Sequence, residues 1–235
     1  MSPPRPRARI AQEVRSERSR GQILDAALRL FSRRGYRGTS MRDIALAAKV
    51  STGNVYHQFP DKESLFRTLL ERYFELLASP DHPFNRALAS GAFPADLEAL
   101  ARAAREGVER YRAYVALIYV DVVEFEGQHI RRYYTEMADR FTRFLESHQN
   151  HLRLDLLRPG VEPTTAVMLA TRFYLHYFAV ELVFGVPNHF GKQTDAVLRE
   201  TVTSVPHPVL RSQVAEQPTP SLGGARECRI VGQRH

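Results

Sequence analysis

The sequence has few of the features that mark secreted or membrane proteins. Among its 235 residues only Cys228 is a cysteine, so no disulfide can form within the chain. No uninterrupted apolar run approaches the roughly 18 residues of a membrane span. The first 20 residues are rich in arginine and lack the apolar core of a signal peptide. These features predict a cytoplasmic protein that does not associate with a membrane.

Motifs for catalysis and metal binding are also missing from the sequence. It contains no nucleophile elbow and no phosphate-binding loop. His148 and His151 lie three residues apart on a polar segment, without the acidic or cysteine partners that a zinc site needs. We therefore expect no enzymatic activity, no catalytic residues, no metal and no cofactor.

The positive charge is unevenly distributed along the chain. The net charge is +7, and residues 1–75 carry all of this excess, with 15 Lys and Arg against 8 Asp and Glu. Residues 76–235 hold 18 of each sign. A basic segment of this kind favours a polyanionic partner, although a solvated basic surface is the alternative.

Residues 39–66 have the pattern of a helix-turn-helix, which places one helix in the major groove of DNA. Ser40 and Asp43 are spaced as a capping box that opens a first short helix. Ser51 is a second N-cap, in front of a helix over Thr52–Gln58. Apolar residues recur at helical spacing in the first helix, at Met41, Ile44, Ala45 and Ala48.

With this pattern in place, residues 20–66 resemble the DNA-binding domain of the TetR family of bacterial transcriptional regulators. The match runs without a gap over about four dozen residues, and the rest of the chain resembles the family only in its length and helical pattern. The residues that carry the resemblance are Ile23, Leu24, Ala26, Ala27, Leu30, Phe31, Gly35, Tyr36, Thr39, Ser40, Ile44, Ala45, Ala48, Val50, Ser51, Gly53, Tyr56, Phe59, Lys62, Glu63 and Leu65.

The resemblance implies an all-α fold. An N-terminal three-helix helix-turn-helix domain would precede a larger C-terminal helical domain for ligand binding and dimerisation. We divide the chain into a flexible basic arm (1–16), the DNA-binding domain (17–62), the effector-binding and dimerisation domain (63–205) and a flexible tail (206–235). The arginines of the arm could reach the minor groove of DNA or simply keep the arm soluble, and the sequence leaves both open.

The resemblance also implies which residues contact DNA. Several have a structural alternative, since Ser, Thr and Asn also cap helices, Arg42 could pair with Asp43, and Tyr56 could be partly buried. The predicted DNA-binding residues are Thr39, Ser40, Arg42, Ser51, Thr52, Gly53, Asn54, Tyr56, His57 and Lys62.

Two further sets are predicted in the C-terminal domain. Aromatic and polar residues at helical spacing are candidates for the wall of an effector pocket, although core packing would also explain them. The segment from Thr164 to Phe184 is apolar nearly all round, which is typical of a helix buried on several sides or in an interface. The pocket candidates are Tyr111, Tyr114, Phe125, Tyr134, Arg172 and His176, and the dimerisation candidates are Tyr174, Phe178, Leu182 and Val197.

These expectations combine into a ligand-responsive, sequence-specific regulator of transcription. The resemblance implies a homodimeric repressor that binds a pseudo-palindromic DNA operator and leaves it when a small molecule binds. A ligand-independent DNA-binding regulator, or an activator, is the alternative.

Overall fold

The computed structural model describes residues 6–203, and these form a helical protein, as the sequence predicts. Four helices build the N-terminal part, and the second and third of them are the predicted helix-turn-helix. Their bounds are α1 Pro6–Arg34, α2 Met41–Ala48, α3 Thr52–Gln58 and α4 Lys62–Ala78.

Side-chain caps fix where the short helices begin. Ser40 and Asp43 form the predicted capping box of α2, in which the Asp43 N–H donates to Ser40 Oγ over 3.1 Å and the Ser40 N–H donates to the Asp43 carboxylate over 3.0 Å. The predicted N-cap of α3 is also confirmed, because Ser51 Oγ accepts the N–H of Asn54 at 3.1 Å. Lys49 adopts the left-handed conformation (φ 57°) that ends α2 and turns the chain towards α3.

Helix α1 begins at Pro6, well before Glu17, where the sequence predicts its start. Residues 6–16, which the sequence assigns to a flexible arm, are helical. Proline is tolerated in the first turn of a helix, and the Arg, Ala, Gln and Glu residues that follow are strong helix formers. The helix therefore extends back to the last proline of the arm. The predicted tail over 206–235, which includes Cys228, lies outside the described residues.

Within the described residues 83–203, eight further helices form the C-terminal part. Two short 3-10 turns, Gln149–His151 and Leu154–Leu156, separate the tenth helix from the eleventh, and a π-helical segment, Ala179–Val183, continues the eleventh. The helices are α5 Pro83–Ala89, α6 Ala92–Ala95, α7 Leu97–Arg110, α8 Arg112–Phe125, α9 Arg131–Thr135, α10 Met137–His148, α11 Pro163–Phe178 and α12 Thr194–Thr203.

Helix α8 belongs to the core of the DNA-binding part as well as to its own domain. Its buried residues join the apolar cluster formed by α1, α2, α3 and α4, while α5, α7, α10, α11 and α12 form a second cluster. Aromatic rings fill the junction, with Tyr36 and Phe125 centred 4.6 Å apart and Phe66 and Phe125 5.1 Å apart. Aromatic pairs at these distances add to the stabilisation from burial. The two parts are thus packed directly against each other through α8.

The segment Pro163–Val183, α11 with its π-helical continuation, is long and apolar enough, by length and composition alone, to cross a membrane. This corrects the expectation that no segment approaches that length. In the fold, 44% of its most apolar stretch is buried, and α11 packs between α7 and α10. We interpret it as the central helix of the C-terminal core.

The predicted dimerisation residues are largely enclosed within the chain. Tyr174, Phe178 and Val197 have exposed fractions of 1%, 0% and 4%, and Leu182 is half-buried. Contacts with α7 and α10 account for the apolar pattern all round α11. A role of these four residues in a dimer stays a prediction.

Candidate nucleic-acid interface and ligand cavity

Helices α2 and α3 present a polar outer surface in which most of the predicted DNA-binding residues are exposed. Seven of the ten are exposed, and Tyr56 retains 53% of its accessible surface. Gly53 lies one residue into α3, and a Cβ added there would meet only Ser51 Oγ, at 3.9 Å. We call this surface the α2–α3 face. Its exposed predicted members are Ser40, Arg42, Ser51, Thr52, Gly53, Tyr56 and His57.

Two of the predicted DNA-binding residues point inwards instead. Thr39 is 2% exposed, and its hydroxyl donates to the Gly35 carbonyl over 2.9 Å. Asn54 is half-buried, and its Nδ2 donates to Ser19 Oγ on α1 over 2.9 Å. Both side chains therefore have hydrogen-bond partners inside the domain. Their direct contact with DNA stays a prediction.

Lys62 also has an internal role. Its Nζ donates to the carbonyls of Tyr36 and Thr39, each over 2.8 Å, and lies 4.1 Å from the centre of the Tyr36 ring. Burial lowers the pKa of the Lys62 ammonium, and the nearby Glu124 carboxylate opposes this effect. Two of its three N–H donors are used in these bonds. Lys62 therefore acts first as a clamp on the loop between α1 and α2.

The same loop is held from the other side by Glu124, near the end of α8. The Tyr36 N–H donates to Glu124 Oε1 over 2.8 Å, and the Arg37 N–H donates to Oε2 over 2.7 Å. Gly35 makes this approach possible, since its φ is +74° and an added Cβ would lie 2.6 Å from Glu124 Oε1. We call the contact between Glu124 and the N–H groups of Tyr36 and Arg37 the Glu124 clasp.

A second polar contact reinforces the junction one turn earlier on α8. Asp121 is fully buried, and its carboxylate contacts His129 Nδ1 and accepts the N–H of Ile130 at 3.2 Å. His129 Nε2 lies 3.7 Å from Glu63 on α4. A buried carboxylate needs such partners to remain in the core. These contacts fix the turn after α8 against the start of α4.

The C-terminal part encloses a cavity of about 870 Å³. Its walls come from α4, α7, α8, α9, α10 and α11 and are largely apolar, with several tyrosines. Cavities of this size with a few polar groups are typical of small-molecule sites. Helix α8 contributes Val115, Ile118, Tyr119 and Val122 to the wall, so the helix that carries the Glu124 clasp also borders the cavity.

The structure brings only half of the predicted pocket residues to this cavity. Tyr134, Arg172 and His176 line it, with the Arg172 guanidinium 5.2 Å from the centre of the Tyr134 ring. Tyr114 lies behind the wall, stacked on Tyr73 at 5.3 Å, and Tyr111 stacks on His82 at 5.4 Å.

Phe125, the third pocket candidate outside the wall, packs in the junction between the two parts. These three residues do not line this cavity, because helical spacing shows which residues share a face but not which helix covers that face.

Tyr73, His82 and Tyr119 line the cavity but are not among the predicted pocket residues. Tyr73 lies on the apolar stripe of α4, where a tyrosine is usually a core residue. His82 is 3% exposed and caps α5, its Nδ1 accepting the N–H of Phe84 at 3.3 Å. His82 lies in a segment of Pro, Ser and Asp whose composition predicts a loop. The only sequence feature that indicates its role as a cap is its position directly before Pro83.

Comparison with known proteins agrees with this arrangement. The sequence profile of "Bacterial regulatory proteins, tetR family" matches residues 23–69. The chain is 32% identical over 178 residues to the HTH-type transcriptional repressor KstR2 of Mycobacterium tuberculosis, a match that covers 70% of this chain and 79% of the relative. This chain belongs to the TetR family. It is a DNA-binding transcriptional regulator, and its family is one of regulators, not enzymes.

Other members of the TetR family share the fold. KstR2 of Rhodococcus jostii is 33% identical over 155 residues, which is 66% of this chain and 73% of the relative. Among solved structures, NalD, the secondary repressor of the MexAB-OprM multidrug efflux pump in Pseudomonas aeruginosa, has a TM-score of 0.53 and 25% identity, covering 83% of this chain and 98% of NalD. A TetR-family regulator from Mesorhizobium loti has a TM-score of 0.54 and 24% identity, covering 80% and 93%.

The exposed position of Gly53 in this TetR-family domain gives a first prediction. Replacing Gly53 with Ala should stabilise α3 by about 0.5–1 kcal/mol, because alanine favours the helix and no atom of the domain stands in the way. If the α2–α3 face binds DNA, the added methyl group should weaken binding about tenfold, or roughly 1.4 kcal/mol. Thermal unfolding and fluorescence anisotropy with operator DNA measure the two effects.

The matched control is Gly21→Ala in α1, where an added Cβ also meets nothing within 4 Å. This control should gain similar stability and keep its affinity for DNA. Unchanged affinity in Gly53→Ala would show that the backbone of α3 does not approach DNA closely.

A second prediction concerns His82 and pH. Burial, with smaller contributions from Arg110 and Arg86, lowers the pKa of His82 to about 4, whereas an unfolded histidine titrates near 6.5. Between these values the unfolded chain binds the proton more tightly, so stability should fall as the pH drops from about 6.5 to 4, by at most about 3 kcal/mol. His82→Asn should unfold with a shallower pH dependence in this window. Chemical unfolding curves at fixed protein concentration test this, and parallel slopes would contradict it.

Proposed function

We propose that this TetR-family protein is a repressor that leaves its operator when a small, mainly apolar molecule occupies the cavity of about 870 Å³. One observation carries the proposal. Helix α8 borders the cavity with Val115, Ile118, Tyr119 and Val122 and holds the loop before the helix-turn-helix through Glu124. A ligand that displaces α8 would therefore act directly on the DNA-binding domain.

The DNA contacts in this proposal come from the α2–α3 face. Arg42 is suited to bind a guanine edge or a phosphate, and Thr52, Tyr56 and His57 are suited to donate to bases or phosphates from α3. Lys49, exposed in the turn between the two helices, adds a phosphate contact that the sequence reasoning did not include. Lys62 supports this surface by fixing the loop before α2.

The regulator would work as a dimer, as two recognition helices must reach successive major grooves about 34–36 Å apart. We assign the interface to the loop that follows α11 and its π-helical continuation. Phe184 and Val186 are exposed there by 50% and 47%, and neither lines the cavity. Large apolar side chains concentrated on one surface are typical of interfaces.

The coupling between cavity and operator follows from equilibrium linkage. A ligand shifts the protein towards the released state only through its higher affinity for that state, and operator DNA must weaken the ligand by the same factor, typically 5–150-fold. The Glu124 clasp and the aromatic junction make two positions of α8 correspond to two positions of the α1–α2 loop. A ligand-independent regulator would lack this reciprocity.

The protein acts on DNA and belongs to a family of bacterial regulators. We therefore assign it to the cytoplasm.

The Glu124 clasp can be tested with a variant that keeps the fold of α8. In Glu124→Gln, one carboxylate oxygen becomes an amide NH₂ that faces a backbone N–H, so the clasp loses at least one bond. We expect the released state to gain population, with weaker operator binding and a smaller effect of the ligand on DNA affinity. Ligands are found by thermal shift, and their affinity is then measured by calorimetry with and without operator.

Glu126→Gln is the control, two residues further on and exposed, and it should retain the full coupling. Equal ligand affinity with and without operator in the unaltered protein would overturn the ligand-released repressor. If the ligand still changes the DNA affinity of Glu124→Gln by the full factor, the ligand-released repressor stands, but the Glu124 clasp has no part in its mechanism.

The dimer surface gives a separate prediction. Phe184→Glu combined with Val186→Glu should produce monomers that lose operator binding, because buried unpaired carboxylates strongly oppose association. Sedimentation velocity at micromolar concentration measures this. Val14→Glu on α1, which is 64% exposed, should remain dimeric. A dimeric double variant would place the interface elsewhere on the surface.

A further inference from the structure

His82 is a polar side chain in an otherwise apolar part of the cavity. It is 97% buried, as its exposed fraction is 3%, and its ring lines both the main cavity and a neighbouring one of about 440 Å³. Leu77, Tyr133 and Phe141 also belong to both walls, so His82 stands where the two cavities adjoin.

The hydrogen bonding of the ring determines which nitrogen carries the proton. Nδ1 accepts the backbone N–H of Phe84 at 3.3 Å, and burial keeps the imidazole neutral near pH 7. A neutral imidazole whose Nδ1 is an acceptor must carry its hydrogen on Nε2. No hydrogen bond from Nε2 is seen among residues 6–203. This edge of His82 is therefore a donor available to a molecule in the cavity.

The ring is also held in place. It stacks on Tyr111 with centroids 5.4 Å apart. Gly107 of α7 leaves space beside the Nε2 edge, where an added Cβ would lie 3.0 Å from Cε1 and 3.3 Å from Nε2. The bond to the Phe84 N–H, the stacked Tyr111 ring and the contact with Gly107 together fix the orientation of the imidazole. A donor held in this way can select where the acceptor atom of a ligand must lie.

The neutral N–H that His82 presents is suited to a neutral acceptor. Arg86 and Arg110 near His82 both pair with Glu106, at 3.7 and 2.8 Å, so their charge is already partly compensated. The wall also holds a cationic donor, the Arg172 guanidinium, which lies 5.2 Å from the centre of the Tyr134 ring.

We infer that His82 is a specificity-determining residue of the cavity, which selects a bulky apolar ligand with a neutral carbonyl oxygen placed to accept from Nε2. This inference rests on the proposed ligand-binding function and names the class of ligand. The apolar walls hold the body of the molecule, and His82 distinguishes a ketone from a hydrocarbon of the same shape. A ligand that covers this donor without accepting its hydrogen bond leaves it unpaired, so His82 favours the ligand that completes the bond.

Two substitutions separate this role from the capping of α5. His82→Gln keeps an N–H donor near the position of Nε2 but loses the Nδ1 acceptor. His82→Asn keeps an acceptor for the Phe84 N–H, as asparagine does in an Asx turn, but loses the distal donor. A purely structural role predicts that Asn is the milder change in every measurement. The inference predicts that Gln is the milder change for ligand selection, whichever variant is more stable.

The probe is 6-propionyl-2-dimethylaminonaphthalene, a fluorescent ketone whose emission shifts to the red when its carbonyl accepts a hydrogen bond. Its comparator is the 6-propyl analogue, in which a methylene replaces the carbonyl. We expect the unaltered protein and His82→Gln to prefer the ketone by about three- to tenfold, the range for one neutral hydrogen bond. His82→Asn should bind both compounds equally, with bluer emission from the bound ketone.

The possible results are distinct. Equal preference for the ketone in the unaltered protein and in His82→Asn would overturn the role of His82 while leaving the cavity as a ligand site. If both compounds bind the unaltered protein equally, the carbonyl selection is wrong. If neither compound binds the full-length dimer at all, both the inference and the ligand half of the proposed function fail.

Discussion

The carboxylate of Glu124 is the contact on which the arrangement of the two parts depends. It accepts two consecutive backbone N–H groups of the α1–α2 loop, at 2.8 and 2.7 Å. Hydrogen bonds to a charged acceptor are about twice as strong as neutral ones, and this acceptor is largely shielded, with a side-chain exposure of 15%. Lys62 holds carbonyls of the same loop from α4. The α1–α2 loop, which leads into the helix-turn-helix, is therefore held from two sides. Glu124 of the C-terminal part binds its N–H groups, and Lys62 of the N-terminal part binds its C=O groups.

The local structure of the DNA-binding domain could be predicted well from the sequence, since caps and apolar spacing act within a few residues. The capping box at Ser40, the N-cap at Ser51 and the bounds of α3 were all confirmed. The direction of individual polar side chains was harder to predict. Asn54 turns inwards because Ser19, 35 residues earlier on α1, offers a partner, and no local pattern shows that partner.

In the C-terminal part, the sequence predicted helices but not which faces meet. Tyr134 and Tyr114 both belong to aromatic stretches of similar appearance, yet one lines the cavity and the other packs behind Tyr73. The apolar circumference of α11 is explained by its burial against α7 and α10, and its predicted part in a dimer stays a prediction. His82, in contrast, lies in a segment that the sequence predicts as a loop, yet it is buried. It fits against α7 because Gly107 stands at the point of contact.

The contact between Gly35 and Glu124 constrains how this sequence can change. Any side chain at position 35 would need a left-handed backbone and would collide with the carboxylate at 2.6 Å. A shorter residue at position 124 would remove the collision but also release the loop. The two positions, far apart in the chain, are therefore coupled. A side chain at position 35 would require the Glu124 carboxylate to move and its bonds to the N–H groups of Tyr36 and Arg37 to change.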